Sequence, residues 1–562
     1  MALPEAPRAA KKPSIRSHHG REFIDDYEWL REKENPEVIA HLEAENAYTE
    51  LTARHLEGLR ETVFEEIKGR VQETDLGVPT REGGYWYYSR TAEGKQYGIQ
   101  CRLPITSADD WTPPTIEAGV EAPGEQVIFD GNVESAGHDF FSLGSFDVSA
   151  DGRLLAYAVD LEGAERYTLR VRDLSTGSDL GDVITETAPG ATFDASGRFL
   201  FYPTVDESWR PDTIWRHEVG TSTDDVSIFH EDDDRYWIGV GLTRSRQYLL
   251  IEVGSKITSE TWLLDSSDPT GEFRVVWPRR DGVEYEIDHA IVDGSDRLLI
   301  LHNEGATGFE LVDVPADRPE ASDDRRVVIA HRDDRRLESV EAFAGHLLVD
   351  FRADGLSQIG LIALPGDGSG FGDLEILGFD EALFTAGWSS NPEFTQATAR
   401  FGFTSFVTPS TVLDLDVASR ERRVLKQQTV LGDYSPPTTT RAASGPQPQT
   451  ARACPCRWSG RSRSRLRGLL RPSTSTATAP TSTASTRVSA SRACRCSTAA
   501  SCSPWPTCAA VAKWAATGTR TARRSPSATP SPTSSRWPIT SSRPGGRRRS
   551  GWSRRAAARA GC

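Results

Sequence analysis

The chain has 562 residues, room for two or three domains and a large core, with 37% hydrophobic residues and a formal net charge of −16. No stretch approaches the roughly 18 consecutive apolar residues of a membrane-spanning helix, and residues 1–20 are polar and basic without an apolar core, which argues against a secretory signal. Charge is split along the chain: all 81 acidic residues lie at or before Asp433, together with 42 of the 65 basic ones, and the other 23 basic residues follow with no acid among them. An acidic body favours solubility and avoidance of polyanions, so neither nucleic acid nor a membrane is a predicted partner. Its single cysteine, Cys101, allows no disulfide within the body and fits a reducing cytoplasm. Oligomeric state is not legible.

From about Asp25 to Lys68 the pattern reads as helix. Asn35-Pro36-Glu37 looks like an N-cap followed by proline at the first turn. Val38, Ile39, Leu42, Leu51, Leu56 and Leu59 recur at roughly helical spacing among Glu and Arg, and Val63, Phe64 and Ile67 mark a second helical stretch. An amphipathic segment of this kind needs another surface to lie on.

Between about Gly77 and Lys426 the pattern changes to short strands set off by Gly, Asp, Asn and Ser turns. Tyr85–Tyr88, Leu154–Val159, Thr168–Val171, Phe199–Tyr202, Tyr248–Val253, Leu298–Leu301 and His346–Asp350 are the β-rich runs. One unit repeats: Phe146-Asp147-Val148-Ser149-Ala150-Asp151-Gly152-Arg153-Leu154 resembles Ala191-Thr192-Phe193-Asp194-Ala195-Ser196-Gly197-Arg198-Phe199. Leu242-Thr243-Arg244-Ser245-Arg246-Gln247-Tyr248-Leu249 is a degenerate third copy. A period of about 45 to 50 residues with several strands per unit predicts a β-propeller rather than a sandwich. The expected fold is therefore mainly β, a propeller preceded by a helical segment.

More specific residues then appear. Arg21-Glu22-Phe23-Ile24-Asp25-Asp26-Tyr27-Glu28-Trp29-Leu30-Arg31 and Asn35 through Tyr48 resemble the opening of the prolyl oligopeptidase family of serine peptidases, with the oligopeptidase B branch the nearest in pattern. Asp233-Asp234-Arg235-Tyr236-Trp237, Trp277-Pro278-Arg279-Arg280, Tyr285-Glu286-Ile287-Asp288-His289 and Leu425-Lys426-Gln427 resemble that branch too, so the likeness spans roughly residues 10–436. The resemblance implies an N-terminal helical segment (1–76) packing on an α/β-hydrolase domain, a propeller of about seven blades (77–426), and the start of the link to the hydrolase domain (427–437). It also implies a cytosolic peptidase that acts on short peptides after Lys or Arg, with no cofactor and no metal.

The chemistry that this family performs needs a serine on a strained strand-to-helix elbow, commonly G-x-S-x-G, followed by Asp and then His. No G-x-S-x-G occurs in the chain, and no Asp or His follows Asp433, so no catalytic, cofactor or metal residue is assigned. His289 and His346 read as structural histidines, and Glu231-Asp232-Asp233-Asp234 as a solvated loop rather than a cation site.

Residues 438–562 are rich in Arg, Ser, Ala and Pro and read as a disordered, out-of-frame tail. Cys454-Pro455-Cys456 and Cys494-Arg495-Cys496 lack an accompanying His for a metal site, and the Arg-rich runs could also serve nucleic acid. Written in GC-rich codons and read one base displaced, Thr507–Ala522 can encode HVRGGGEMGRHWYEDG, and Ala443–Ala453 can encode IWATAADGTRVP. Arg554–Cys562 can likewise encode VAEGGSAGGL, with the nucleophile's codon straddling Ala557 and Ala558. Three ordered matches to the family's hydrolase domain, starting where the acids vanish, point to a frameshift in the proline codons near Pro436-Pro437. The chain as written is expected to be catalytically silent, a truncated relative of its family. The rival expectation is a non-catalytic propeller that binds peptides or proteins.

Overall fold

A computed structural model describes residues 5–432 and the backbone of two further paired strands, Thr439–Ser444 and Cys456–Arg461. Most of the tail, and the expectations of disorder, metal and nucleic-acid binding placed on it, lie outside the described residues.

The chain opens on a hairpin, β1 (Ser14–His18) with β2 (Arg21–Asp25), that the sequence pattern does not announce. A short 3₁₀ turn at Glu28–Arg31 follows, pinned where the Trp29 indole donates to the Ala10 carbonyl at 2.9 Å. The predicted helix therefore starts later than Asp25. Helix α1 (Pro36–Ala53) begins at the expected cap, where Asn35 Oδ1 accepts from the Glu37 N–H at 2.9 Å and Pro36 fills a position whose N–H would have no partner. Helix α2 (Glu57–Lys68) continues it through one 3₁₀ turn. Of the apolar residues at helical spacing only Val38 is buried, while Leu42, Leu59, Phe64 and Ile67 are each more than half exposed. Among the described residues this face is uncovered.

Among the described residues six antiparallel sheets make up a β-propeller, and each of the predicted strand runs lies in one of them. Sheet I spans residues 80–130, sheet III 237–275, sheet IV 285–329, sheet V 335–376 and sheet VI 384–427, each with four strands in sequence order. Sheet II (142–230) has eight strands, its two halves joined through the single pair Thr187 and Thr204.

The strand patterns follow from where each strand sits. Leu154–Asp160 is buried along its whole length, whereas in Tyr167–Asp173, its neighbour in the same sheet, buried residues alternate with half-buried ones. Core forms between successive sheets: Ala290, Leu299 and Leu311 of sheet IV pack on Leu347, Val349 and Ile362 of sheet V. Leu348, Ile359 and Leu361 of sheet V pack in turn on Phe384, Phe401 and Leu415 of sheet VI. Sheets VI and I share no strand, so side chains close the ring. Arg400 donates to the Pro79 carbonyl at 2.8 Å, and Lys426 pairs with Asp75 at 2.7 Å.

Candidate functional site in the central channel

In a four-stranded antiparallel sheet the first strand starts at the face where the fourth ends. The chain's entry at Thr80 and its departure at Gln427 therefore share one face of the ring. At the opposite face, where the first strands finish, lies a cavity of about 220 Å³. Glu82, Asp147, Thr192, Arg244 and Arg246 line it, drawn from sheets I, II and III.

The repeated sequence unit builds this rim. In all three copies the turn closes the same way: Ser149, Asp194 and Thr243 N–H donate to the carbonyls of Leu154, Phe199 and Tyr248 at 2.9 Å. The N–H groups of Gly152, Gly197 and Arg246 donate back to the carbonyls of Ser149, Asp194 and Thr243. All three returning residues have left-handed backbone, with φ of +70°, +70° and +58°. Glycine accepts this conformation freely, but an arginine there costs about 1 kcal/mol. The third copy therefore breaks the repeat at a strained position, and it carries Arg244 where the sister turns carry Ala150 and Ala195.

Both arginines reach away from their own sheet. Arg244 Nε donates to the Asn391 carbonyl of sheet VI at 2.7 Å, Nη1 lies 3.4 Å from Asp288 of sheet IV, and Nη2 donates to Glu341 of sheet V at 2.8 Å. Arg246 Nη2 donates to Glu82 of sheet I at 2.6 Å. Carboxylates also reach the N–H groups of neighbouring first strands: Asp147 and Asp288, themselves on first strands, accept from the Phe193 and Ala342 N–H groups, and Asp350, on the second strand of sheet V, accepts from the Trp388 N–H. A first strand is a sheet edge, so its inward N–H groups need such partners.

The two histidines singled out in the sequence support this turn. His289 is fully buried, and its Nδ1 lies 2.8 Å from Ser245 Oγ. His346 stacks on Phe343 with ring centroids 4.6 Å apart, and the Arg244 guanidinium lies over the same Phe343 ring at 4.4 Å. Burial holds both imidazoles below the ordinary range, His346 at about 4, with Arg244 adding to the effect on His346. Both are neutral near pH 7 and structural. The acidic run is the expected loop with Asp232 and Asp234 exposed, but Glu231 departs from the expectation: it is buried and accepts from Arg279 at 2.5 Å, while Asp233 pairs with Arg235. Among the described residues no group of His, Cys, Asp and Glu has the geometry of a metal site. Cys101 is buried and free.

Carboxyl groups in the channel are held above their ordinary range. Burial, only partly offset by Arg244 and reinforced by Asp350 and Asp288, pushes Glu341 up to about 7. Burial likewise pushes Asp350 up to about 6, against the Ser339 hydroxyl and the Trp388 N–H. A carboxyl whose folded pKa is raised keeps a proton that the unfolded chain releases. The stability that it contributes is present at low pH and is lost as pH rises from the ordinary carboxyl range to about 7. Glu341→Gln should therefore gain on the wild type by about 1–2 kcal/mol between about pH 5 and pH 8. Urea unfolding midpoints at the two pH values measure this, and curves that stay parallel would refute it.

These features define a β-propeller whose channel is bridged by ion pairs at the face away from its chain connections. The chain belongs to the prolyl oligopeptidase family: the family's model, described as prolyl oligopeptidase, N-terminal beta-propeller domain, matches residues 7–428. It is 37% identical over 433 residues to dipeptidyl aminopeptidase BI of Pseudoxanthomonas mexicana, covering 76% of this chain and 58% of that protein. It is 31% identical to protease 2 of Moraxella lacunata, covering 77% and 60% of the two chains. Among solved structures, oligopeptidase B from Trypanosoma brucei with covalently bound antipain, in a closed form, matches with a TM-score of 0.72 at 28% identity, covering 80% of this chain and 64% of that one. Oligopeptidase B from Leishmania major matches with a TM-score of 0.71 at 26% identity and the same coverage. The chain thus spans about three-fifths of the length of the curated relatives it matches, 58% and 60%.

Proposed function

We propose that the underlying gene specifies a cytoplasmic serine oligopeptidase that cleaves short peptides after Lys or Arg, and that the chain as written carries its propeller without its catalytic residues. The observation that carries this reading is the family match across residues 7–428, followed within a few residues by the loss of every acid, with no histidine after that point either. In this reading sheet II counts as two blades, because one residue pair joins its halves, giving a ring of seven. Residues 1–76 form the segment that packs on the hydrolase domain, 77–426 the propeller and 427–437 the start of the link. The uncovered apolar face of α1 and α2 supports a missing partner surface. Residues 438–562 are then the product of a displaced frame.

Resequencing the codons for Ser435 to Thr438, with the intact mass of the expressed product, tests the frame. A single-base difference supports the proposal; codons incompatible with the displaced reading defeat it.

The name of the relative from Pseudoxanthomonas favours a second specificity, release of dipeptides from a free N-terminus. Arginyl substrates with free and with blocked N-termini, offered to the frame-restored protein, separate the two. If the chain exists as written, the remaining function is peptide binding by a non-catalytic propeller, seen as peptide binding without hydrolysis.

A further inference from the structure

We propose that the turn from Thr243 to Tyr248 is a cross-channel clasp that holds the ring shut at the seam between sheets I and VI. Among the described residues no two successive sheets share a strand, but only at this seam do the neighbours stand at opposite ends of the chain order, so no short connection spans it. In chain order sheet III is separated from the seam by sheet II on one side and by sheets IV and V on the other. From this position the turn's two arginines each take hold of one lip. Arg246 grips Glu82 on sheet I, 164 residues away in sequence, and Arg244 grips the Asn391 carbonyl on sheet VI, 147 residues away. The lips also meet directly there, where the Gly83 N–H of sheet I donates to Glu393 of sheet VI.

The sister turns show that these residues are not required by the turn itself. They close the same backbone hydrogen bonds with alanine and glycine at the two positions. Arg246 persists in a left-handed conformation that glycine would accept without strain, so its side chain supplies what the backbone loses. The guanidinium of Arg244 is held in place from three sides, by Asp288, Glu341 and the Phe343 ring, and His289 fixes Ser245 between the two arginines. The clasp is thus braced by sheets IV and V. Arg400 and Lys426 tie the same seam at Pro79 and Asp75, so release of the clasp would let sheets I and VI part on the cavity side alone, without unfolding the remaining sheets, and would open the cavity sideways.

Hydrogen exchange of the full chain, followed by mass spectrometry, tests this. In Arg244→Ala and in Arg246→Gly, amides of Tyr85–Arg90 and Phe384–Trp388 should exchange at least about 10-fold faster, while those of Leu154–Asp160 keep their wild-type rates. Glu82→Ala, which removes the acceptor and leaves the turn untouched, should reproduce the Arg246→Gly result. Unchanged exchange at the seam would overturn the proposal, as would equal acceleration in every sheet. A fast seam in Arg246→Gly with a wild-type seam in Glu82→Ala would also overturn it, since the effect would then belong to the turn alone.

Discussion

Moving the reading frame by one base at the codons for Pro436 and Pro437 should raise kcat on an arginyl fluorogenic peptide by on the order of 10⁶ over the chain as written. The size follows from what amide hydrolysis requires. A serine hydroxyl is a weak nucleophile until a histidine takes its proton, and the histidine must be oriented by a carboxylate. The body supplies eleven histidines, but the two that support the Thr243–Tyr248 turn are already engaged there, His289 by a hydrogen bond with Ser245 and His346 by stacking on Phe343. Residues beyond Asp433 hold serines in abundance and neither of the other two members. In the displaced frame the serine's codon straddles Ala557 and Ala558, and reading then continues past the codon of Cys562 toward the Asp and His that follow the serine in the family's order, so the expected response is all-or-none rather than graded. Hydrolysis by the chain as written that is blocked by a serine-directed inhibitor would defeat this account. So would a frame-restored protein that folds, by circular dichroism, and remains inert.

Sequence pattern carried the strands well because a propeller sheet is a local object. Each sheet is built from consecutive strands, so a run such as Leu298–Leu301 betrays its burial without knowledge of its neighbours. The helix start was legible for the same reason, since Asn35 and Pro36 act within one turn. The hairpin Ser14–His18/Arg21–Asp25 was not, because it shows no apolar alternation: Arg16 pairs with Asp25 and Glu28 across an exposed ribbon. The channel was hidden for a different reason. Its ties join residues 147 and 164 apart in sequence, and nothing local specifies which turn faces which. One signal did exist: in the third repeat an arginine occupies the position that its sister turns give to Gly152 and Gly197. A break in a repeat at a residue that the backbone disfavours is a sign of a site, and here it marked the rim of the cavity.

Arg400→Leu should lower stability by about 3–5 kcal/mol, more than the loss of any exposed tie across the seam. Arg400 is buried, and Nε and Nη2 clamp the two oxygens of Asp414 at 2.8 and 3.2 Å within sheet VI. Nη1 crosses to sheet I, donating to the Pro79 carbonyl at 2.8 Å and to the Thr80 hydroxyl at 3.1 Å. Removing the guanidinium strands a buried carboxylate and a buried carbonyl together, and the first is the costlier. Replacing both partners, as Arg400→Leu/Asp414→Leu, removes the stranded charge. The double variant should then retain only the cost of the unsatisfied Pro79 carbonyl, about 1–3 kcal/mol, and be more stable than the single one. Lys426 offers the contrast: its pair with Asp75 is 33% and 42% exposed on the two sides, and Lys426→Ala should cost less than about 1 kcal/mol. Urea unfolding of the full chain orders the three. If the double variant is no better than Arg400→Leu, the loss comes from packing or from the Pro79 contact, and the buried charge is not what makes Arg400 indispensable. If Lys426→Ala costs as much as Arg400→Leu, closure of the ring depends on its exposed rim instead of its buried core.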